Sequence, residues 1–272
     1  MNKKLFKIDC LTNLHVGSGD ANFDIVDKEV EKDPVTGYPV VHGTGIKGAL
    51  LADENVCNSD NKEFVFGKPG KDGDDGDKMS TAGNYKFLDA RFIARPLRVG
   101  VGPAAYIITT TVDAINDFVA TVRGFGIADW ESVNPIGTIS FGDKKFLSPD
   151  KAVKDIEGDA VGKLEDDNIK NIIKTILGTE KFAIAENLND YPLPVVARNN
   201  LGKHRNLWYE EFVPYKSQFY AVILHPEDDF KLCFDDVIQL GGNASVGNGY
   251  VKFTEMTKKV ENGGQANEQE KG

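Results

Sequence analysis

The sequence predicts an α+β sandwich of ferredoxin-like type, with paired strands and two helices on one face. Three observations carry that prediction. A strand-like segment opens the chain over about Leu5–His15. Two helical segments follow, each behind a threonine that can cap it. β-rich runs stand between and after them, so the order reads strand, helix, strand, strand, helix, strand.

Each element has a local reason. Thr44 follows a strand-like Pro39–Val41 and can cap a helix through Ala52. Tyr85–Val99 is a β-rich run. Thr109–Thr111 then precede Val112, Ile115, Phe118, Val119 and Val122, which repeat at i, i+3, i+4 spacing and predict a second helix. Gly124 and Gly126 stop it. Gly137–Phe141 and Phe219–Leu224 read as strands, and Tyr250–Phe253 can close the sheet. Residues 149–175 carry Val153, Ile156, Val161, Leu164, Ile169, Ile172 and Ile173 among lysines and acids, so a helical insertion is expected over 149–180. Residues 67–84 are rich in Gly, Asp and Lys and read as a mobile excursion. Residues 258–272 read as a disordered tail. The remainder, 1–257, is expected to form a single elaborated domain.

Composition excludes several classes. The chain has 272 residues, 40% hydrophobic and 27% charged, which is ordinary for a globular protein and argues against fibrous or wholly disordered types. No apolar run approaches the roughly 18–20 residues that span a bilayer. Lys7 and Asp9 interrupt any signal-peptide core. The three cysteines are odd in number and far apart, so no disulfide framework is expected. The expectation is a soluble cytoplasmic protein with no membrane partner. The net charge of −10 first counts against nucleic acid. Yet four stretches hold no acid: 34–52 (+1), 92–112 (+2), 191–209 (+3) and 237–254 (+1). They total +7 against −17 elsewhere, as if one surface were kept for an anion.

Five motifs bear on chemistry. After the first strand, Gly17 and Gly19 allow a tight turn next to His15, with Asp24 and Asp27 following; such carboxylates can hold a metal or orient a hydroxyl nucleophile. An ordinary turn with solvated acids would have the same composition. His42–Leu51 places Gly43, Gly45 and Gly48 in a G-x-G-x-x-G pattern at a helix start, where Thr44 and Lys47 could meet a phosphate. The same glycines could serve close packing. Leu240–Tyr250 (LGGNASVGNGY) can follow a phosphodiester backbone or simply turn before a strand. Asn206–Pro214 (NLWYEEFVP) sets Trp208 and Tyr209 beside Glu210 and Glu211, as packed aromatics with solvent-facing acids. Tyr191–Asn206 reads as a projecting β-hairpin whose valines and cations suit insertion between bases.

In order and spacing these pieces resemble the RAMP superfamily of CRISPR proteins. The similarity is strongest to the repeated backbone subunit of type III-B (Cmr) effector complexes, the fourth Cmr subunit. It rests on LHVGSG, IVD, TGYPVVHGTGIKGAL, FLDA, RPLRVG, NLWYEEFVP and IQLGGNASVGNGYV, and runs from Leu11 to about Phe253.

The resemblance implies an RRM-type palm and a thumb over about 185–207, carrying Val195, Val196, Ala197 and Arg198. Copies would stack into a filament on a CRISPR guide RNA, with other Cmr subunits, in antiviral defence. Single-stranded target RNA would be cut at regular intervals, with the RNA 2′-OH as nucleophile and a divalent metal, Mg2+ or Mn2+, as cofactor. By motif position Asp27 is the catalytic aspartate and metal ligand, helped by His15 and Glu211, or by Glu210 instead. Thr44, Gly45 and Lys47 match the guide-backbone site and Arg98 a basic residue near it, while Gly17, Gly19, Gly241, Gly242 and Gly247 are RNA-binding candidates from their own glycine loops. Lys32-Asp33 replaces the usual Arg-Glu, Asn248 replaces an arginine in the last loop, and Leu51 stands where a basic residue is common. Two other readings stay open: a guide-binding scaffold that does not cut, and a nucleotide-binding oxidoreductase built on Gly43, Gly45 and Gly48.

Overall fold

The computed structural model describes residues 1–17, 26–53, 59–68, 80–200, 206–226, 230–232 and 237–257. Gly19, Asp24, Lys203, His204, Arg205 and the tail 258–272 lie outside the described residues. The strands are β1 (Asn2–Cys10), β2 (Val40–Val41), β3 (Gly67–Lys68), β4 (Thr81–Ala82), β5 (Lys86–Phe87), β6 (Ala90–Val101), β7 (Tyr106–Thr111) and β8 (Phe146–Ser148). They continue with β9 (Asp155–Ile156), β10 (Asp159–Lys163), β11 (Phe182–Ala185), β12 (Val195–Asn200), β13 (Asn206–Glu211), β14 (Gln218–His225), β15 (Val237–Gln239) and β16 (Tyr250–Glu255). Among the described residues four α-helices join them: α1 (Gly43–Ala52), α2 (Ser59–Phe66), α3 (Val112–Gly124) and α4 (Asp167–Leu177).

The α+β class holds, but the layering differs from the expected one. β14 is apolar and buried along nearly its whole length, so both of its faces need cover. Phe219, Ala221 and Ile223 pack with Phe6 and Ile8 of β1 and with Ile46 and Leu50 of α1. Tyr220 and Val222 pack instead with Ile115, Phe118 and Val119 of α3 and Ile173 of α4. Helices therefore lie on both faces of the sheet, not on one. Each fully buried Ile or Phe contributes roughly 1.5–3 kcal/mol, which is why a strand apolar on both faces decides the layers.

The main sheet runs β15-β16-β1-β14-β6-β7-β11-β8-β10-β9, and β9 also pairs with β6. Six strands, β6, β7, β11, β8, β10 and β9, thus close into a ring at one end. β6 makes closure possible because it is long and irregular. Its first half pairs with β14, its middle with β7, and its end, after a register shift between Val99 and Val101, with β9.

Several expectations are corrected. The opening strand ends at Cys10, not His15. Gly137–Phe141 joins no ladder; Phe146–Ser148 takes the strand position. Residues 149–165 are not helical, and β9 and β10 pair within them because the sharp turn at Glu157-Gly158 (both at positive φ) folds the chain back. Only Ile169, Ile172 and Ile173 of the expected apolar set stand on a helix, α4, which Asp166 caps and Gly178 (φ +71°) ends. The start of α3 is as read, with the Thr111 side chain accepting from Ala114 N. The excursion 67–84 is pinched at its base by β3 pairing with β4.

Candidate nucleic-acid interface

β12 and β13 form a hairpin whose second strand runs beyond the expected Tyr191–Asn206 into the NLWYEE stretch, in register from Val195↔Glu211 to Asn200↔Asn206. It is a two-stranded sheet separate from the main one, and Val195, Val196, Leu207 and Tyr209 are exposed on it. The chain after the first turn runs alongside β13. Lys28 N donates to Tyr209 O (3.1 Å) and Glu211 N donates to Lys28 O (2.9 Å). Asp27 is fastened there too, since its Oδ2 accepts from Tyr209 N at 2.8 Å. The hairpin strand therefore positions the carboxylate that sequence reasoning singled out.

Glu210 and Glu211 do not face solvent as expected; both are buried. Glu210 Oε1 accepts from Lys28 Nζ (2.9 Å) and Trp208 Nε1 (2.7 Å), and Oε2 accepts from Asn243 Nδ2 (2.9 Å). Arg198 Nε lies 3.4 Å from the same Oε2. Burial pushes the Glu210 carboxyl up, but the hydrogen bonds from Trp208 and Lys28, with the Lys28 charge, outweigh it and hold it below the ordinary value. Glu211 clamps the neighbouring segment, accepting from Val30 N (3.1 Å) and Lys32 Nζ (3.2 Å). A motif that reads as exposed acid is in fact the junction of hairpin, Asp27 segment and glycine loop. Lys28 and Lys32, one and five residues after Asp27, were the available signal that two buried carboxylates needed cations.

His15 is buried against Phe212, and its Nδ1 lies 2.8 Å from Glu211 O. A carbonyl only accepts, so Nδ1 carries a proton, and Nε2 lies on the side of Gly17. The glycine loop closes over it. Gly242 N donates to His15 O (2.9 Å), and a Cβ on Gly241 (φ +72°) would stand 2.3 Å from that oxygen. The structure thus brings together His15, Gly17, Gly241 and Gly242, while Gly247, at positive φ, faces open space.

At the N-terminus of α1 the first amide is engaged by a carboxylate. Thr44 does not cap it; the helix begins at Gly43, whose N donates to Asp89 Oδ1 at 2.7 Å. Asp89 takes the place at the helix dipole that a phosphate would use. Gly43 is a packing glycine, since a Cβ there would stand 2.1 Å from Phe87 O. Gly45 and Gly48 are different: nothing crowds either position, and both line a cleft of about 390 Å3 with Ala52, Ile238, Gln239 and Gly241. Two glycine motifs remote in sequence therefore face one another. Lys47 is half-buried on α1 and Thr44 exposed, outside that lining. Because all three glycines of the G-x-G-x-x-G pattern lie within the helix, there is no glycine turn to cradle a pyrophosphate, which removes the oxidoreductase reading.

The RAMP superfamily pattern matches residues 7–252. The chain belongs to the RAMP superfamily. It is 26% identical to the CRISPR system Cmr endoribonuclease Cmr4 of Pyrococcus furiosus, over 97% of this chain and 98% of that one. It is 23% identical to the CRISPR system CMR subunit Cmr4 of Saccharolobus solfataricus, over 92% and 95%. Among solved structures, a chain of the type III-B Cmr-beta complex bound to cognate target RNA superposes with TM-score 0.68 at 21% identity, over 94% of this chain and 98% of that one. Oligomeric Cmr4 from Pyrococcus furiosus superposes with TM-score 0.64 at 20% identity, over 94% and 98%. These relatives bear out the resemblance to the Cmr backbone subunit.

Within this RAMP chain the acid-free stretches do not all supply surface charge. Arg95 is buried, and its guanidinium donates to the carbonyls of Leu188 (3.2 Å), Pro192 (3.4 Å) and Tyr191. Burial pushes its pKa down to about 10, against the raising effect of Glu157 and Glu211. Arg198 is tied to Glu210 and lies over the Phe212 ring. Arg98 is exposed on β6 opposite Tyr106 of β7, outside the α1 cleft. Among the described residues no group of three or more His, Cys, Asp or Glu could hold a metal ion. Asp27 offers a single carboxylate, one of whose oxygens is already bonded to Tyr209 N. No helix among the described residues is long and apolar enough to cross a membrane.

Proposed function

We propose that this chain is the repeated backbone subunit of a cytoplasmic type III-B (Cmr) CRISPR ribonucleoprotein, stacked with further copies and other Cmr subunits. It holds the guide RNA and cuts complementary target RNA beside Asp27 at regular intervals. The observation that carries the reading is the bond from Tyr209 N to Asp27, which ties the carboxylate to the projecting hairpin. A nucleotide displaced by Val195, Val196, Ala197 and Arg198 then lies near a fixed carboxylate. The guide backbone follows the cleft between Gly45 and Gly48 on one side and the loop of Gly241, Gly242 and Gly247 on the other, with Thr44 and Lys47 at its margin.

RNA carries its own nucleophile. An unstacked nucleotide can turn its 2′-oxygen in line with the adjacent phosphorus; the O2′–P bond forms, the P–O5′ bond breaks, and the 5′-oxygen takes up a proton. Asp27 orients the 2′-OH or accepts its proton through Oδ1, while Tyr209 N keeps the other oxygen fixed. The His15 ring is oriented by its Nδ1, 2.8 Å from Glu211 O, which leaves Nε2 on the side of Gly17, and the Glu211 carboxylate accepts from Val30 N. A divalent metal, Mg2+ or Mn2+, would be held by Asp27 together with RNA oxygens and water, and would stabilise charge on the phosphate.

The test is Asp27→Asn in the assembled complex with labelled target RNA. Cutting should fall by about 100-fold or more with target binding retained; unchanged cutting overturns the assignment. A second reading, a guide-binding scaffold that does not cut, is favoured by the lack of a multi-ligand metal cluster among the described residues. It prevails if the unaltered complex leaves its target whole in Mg2+ and in Mn2+.

A further inference from the structure

We propose that Tyr106, Tyr215 and Lys216 form a second single-stranded RNA contact, a stacking platform apart from the hairpin and the α1 cleft. The proposal rests on reading this chain as an RNA-binding subunit and adds a site to it. Lys216 Nζ lies 5.2 Å from the Tyr106 ring centre and 5.3 Å from the Tyr215 ring centre, so one ammonium is held between two tyrosines. Both rings remain open to solvent, at 39% and 49% exposure. Arg98, also exposed, stands opposite Tyr106 in the β6–β7 ladder and adds a second cation; its backbone N–H is engaged by Glu157.

The backbone gives the independent argument. Lys216 has φ +71°, the third position of a turn in which Ser217 N donates to Pro214 O. That position favours glycine or asparagine, because a Cβ there is strained. The turn is also pinned by Tyr215 N to Asn13 Oδ1 (3.0 Å) and Lys216 N to Cys10 O (2.6 Å). Lys216 holds this strained conformation while its side chain reaches both rings. Exposed aromatic rings with an interleaved cation match what an unpaired RNA strand presents, a base face beside a phosphate.

The test titrates fluorescein-labelled single-stranded RNA of mixed sequence with the full chain at several KCl concentrations. Lys216→Gly should melt at the wild-type temperature or above it. It should bind about fivefold more weakly, with a slope of log K against log salt smaller by about 0.7. Tyr106→Ala and Tyr215→Ala should each weaken binding about tenfold with the slope kept. Wild-type affinity and slope in Lys216→Gly overturn the platform alone. Weakened self-association with unchanged RNA affinity also overturns it, and assigns the face to a neighbouring copy. A wild-type chain that binds no RNA at any salt overturns both the platform and the reading beneath it.

Discussion

Asn243 Nδ2 donates to Glu210 Oε2 at 2.9 Å, so the glycine loop and the base of the hairpin share one buried carboxylate. Lys28, Trp208 and Arg198 also reach it, and through Lys28 the Asp27 segment is attached to the same point. Three remote stretches of chain are thereby held in register around the proposed cutting site.

Removing that carboxylate leaves the part-buried Trp208 and Asn243 donors without their acceptor, while Lys28, about half exposed, can turn to water. Glu210→Ala should lower stability by about 1–3 kcal/mol. Thermal melting checks this, and a change within about 0.5 kcal/mol, as for an ordinary surface site, would deny the junction its role.

The same residue gives a pH signature. Its folded pKa lies below the unfolded one, so its stabilisation is present above the ordinary value of 4.5 and is lost as pH falls through the folded value. The melting-temperature gap between wild type and Glu210→Gln should therefore be widest near neutral pH and narrow below about 4.5. A gap that widens on acidification contradicts the sign.

Gly43 and Gly48, five residues apart, should respond oppositely. Gly43→Ala meets the Phe87 carbonyl at 2.1 Å and should destabilise by about 1–3 kcal/mol. Gly48→Ala meets nothing within 4 Å and should stabilise the helix by about 1 kcal/mol. Because Gly48 lines the cleft with Gly241, the added methyl should still weaken guide-RNA binding. Melting and binding titrations together separate the two effects.

Arg95 should behave as a structural cation. Arg95→Met strands the carbonyls of Leu188, Tyr191 and Pro192, just ahead of the hairpin, and should cost about 3 kcal/mol. Any fall in RNA affinity should leave the salt slope unchanged, since no phosphate contact is lost. A slope smaller by about 0.7 would place Arg95 on the RNA after all.

Local pattern was enough for some elements. The spacing from Val112 to Val122 and the Thr111 cap specify α3, because helix periodicity and capping need only nearby residues. The first hairpin strand, β14 and β16 were legible for the same reason, whereas the second hairpin strand, Asn206–Glu211, was not. Nor was the 149–165 segment. Its apolar spacing fits a helix, but Val153, Ile156 and Leu164 are buried by partners far along the chain. Thr44 is no cap because the helix begins one residue before it, with Gly43 N bonded to Asp89, 46 residues away.

By itself the sequence determined the class of fold, the order of its motifs and the membership they spell out, since these depend on residue types at fixed spacing. It also named Asp27, His15 and the two glycine motifs. Only the tertiary structure decided that helices cover both faces of the sheet, that six strands close into a ring, and that Gly45, Gly48 and Gly241 line one cleft. It alone made Glu210 and Glu211 internal, and turned Arg95 from a surface cation into a buried one. The reason is physical: burial and the pairing of charges depend on what arrives from elsewhere in the chain, and no local spacing records that.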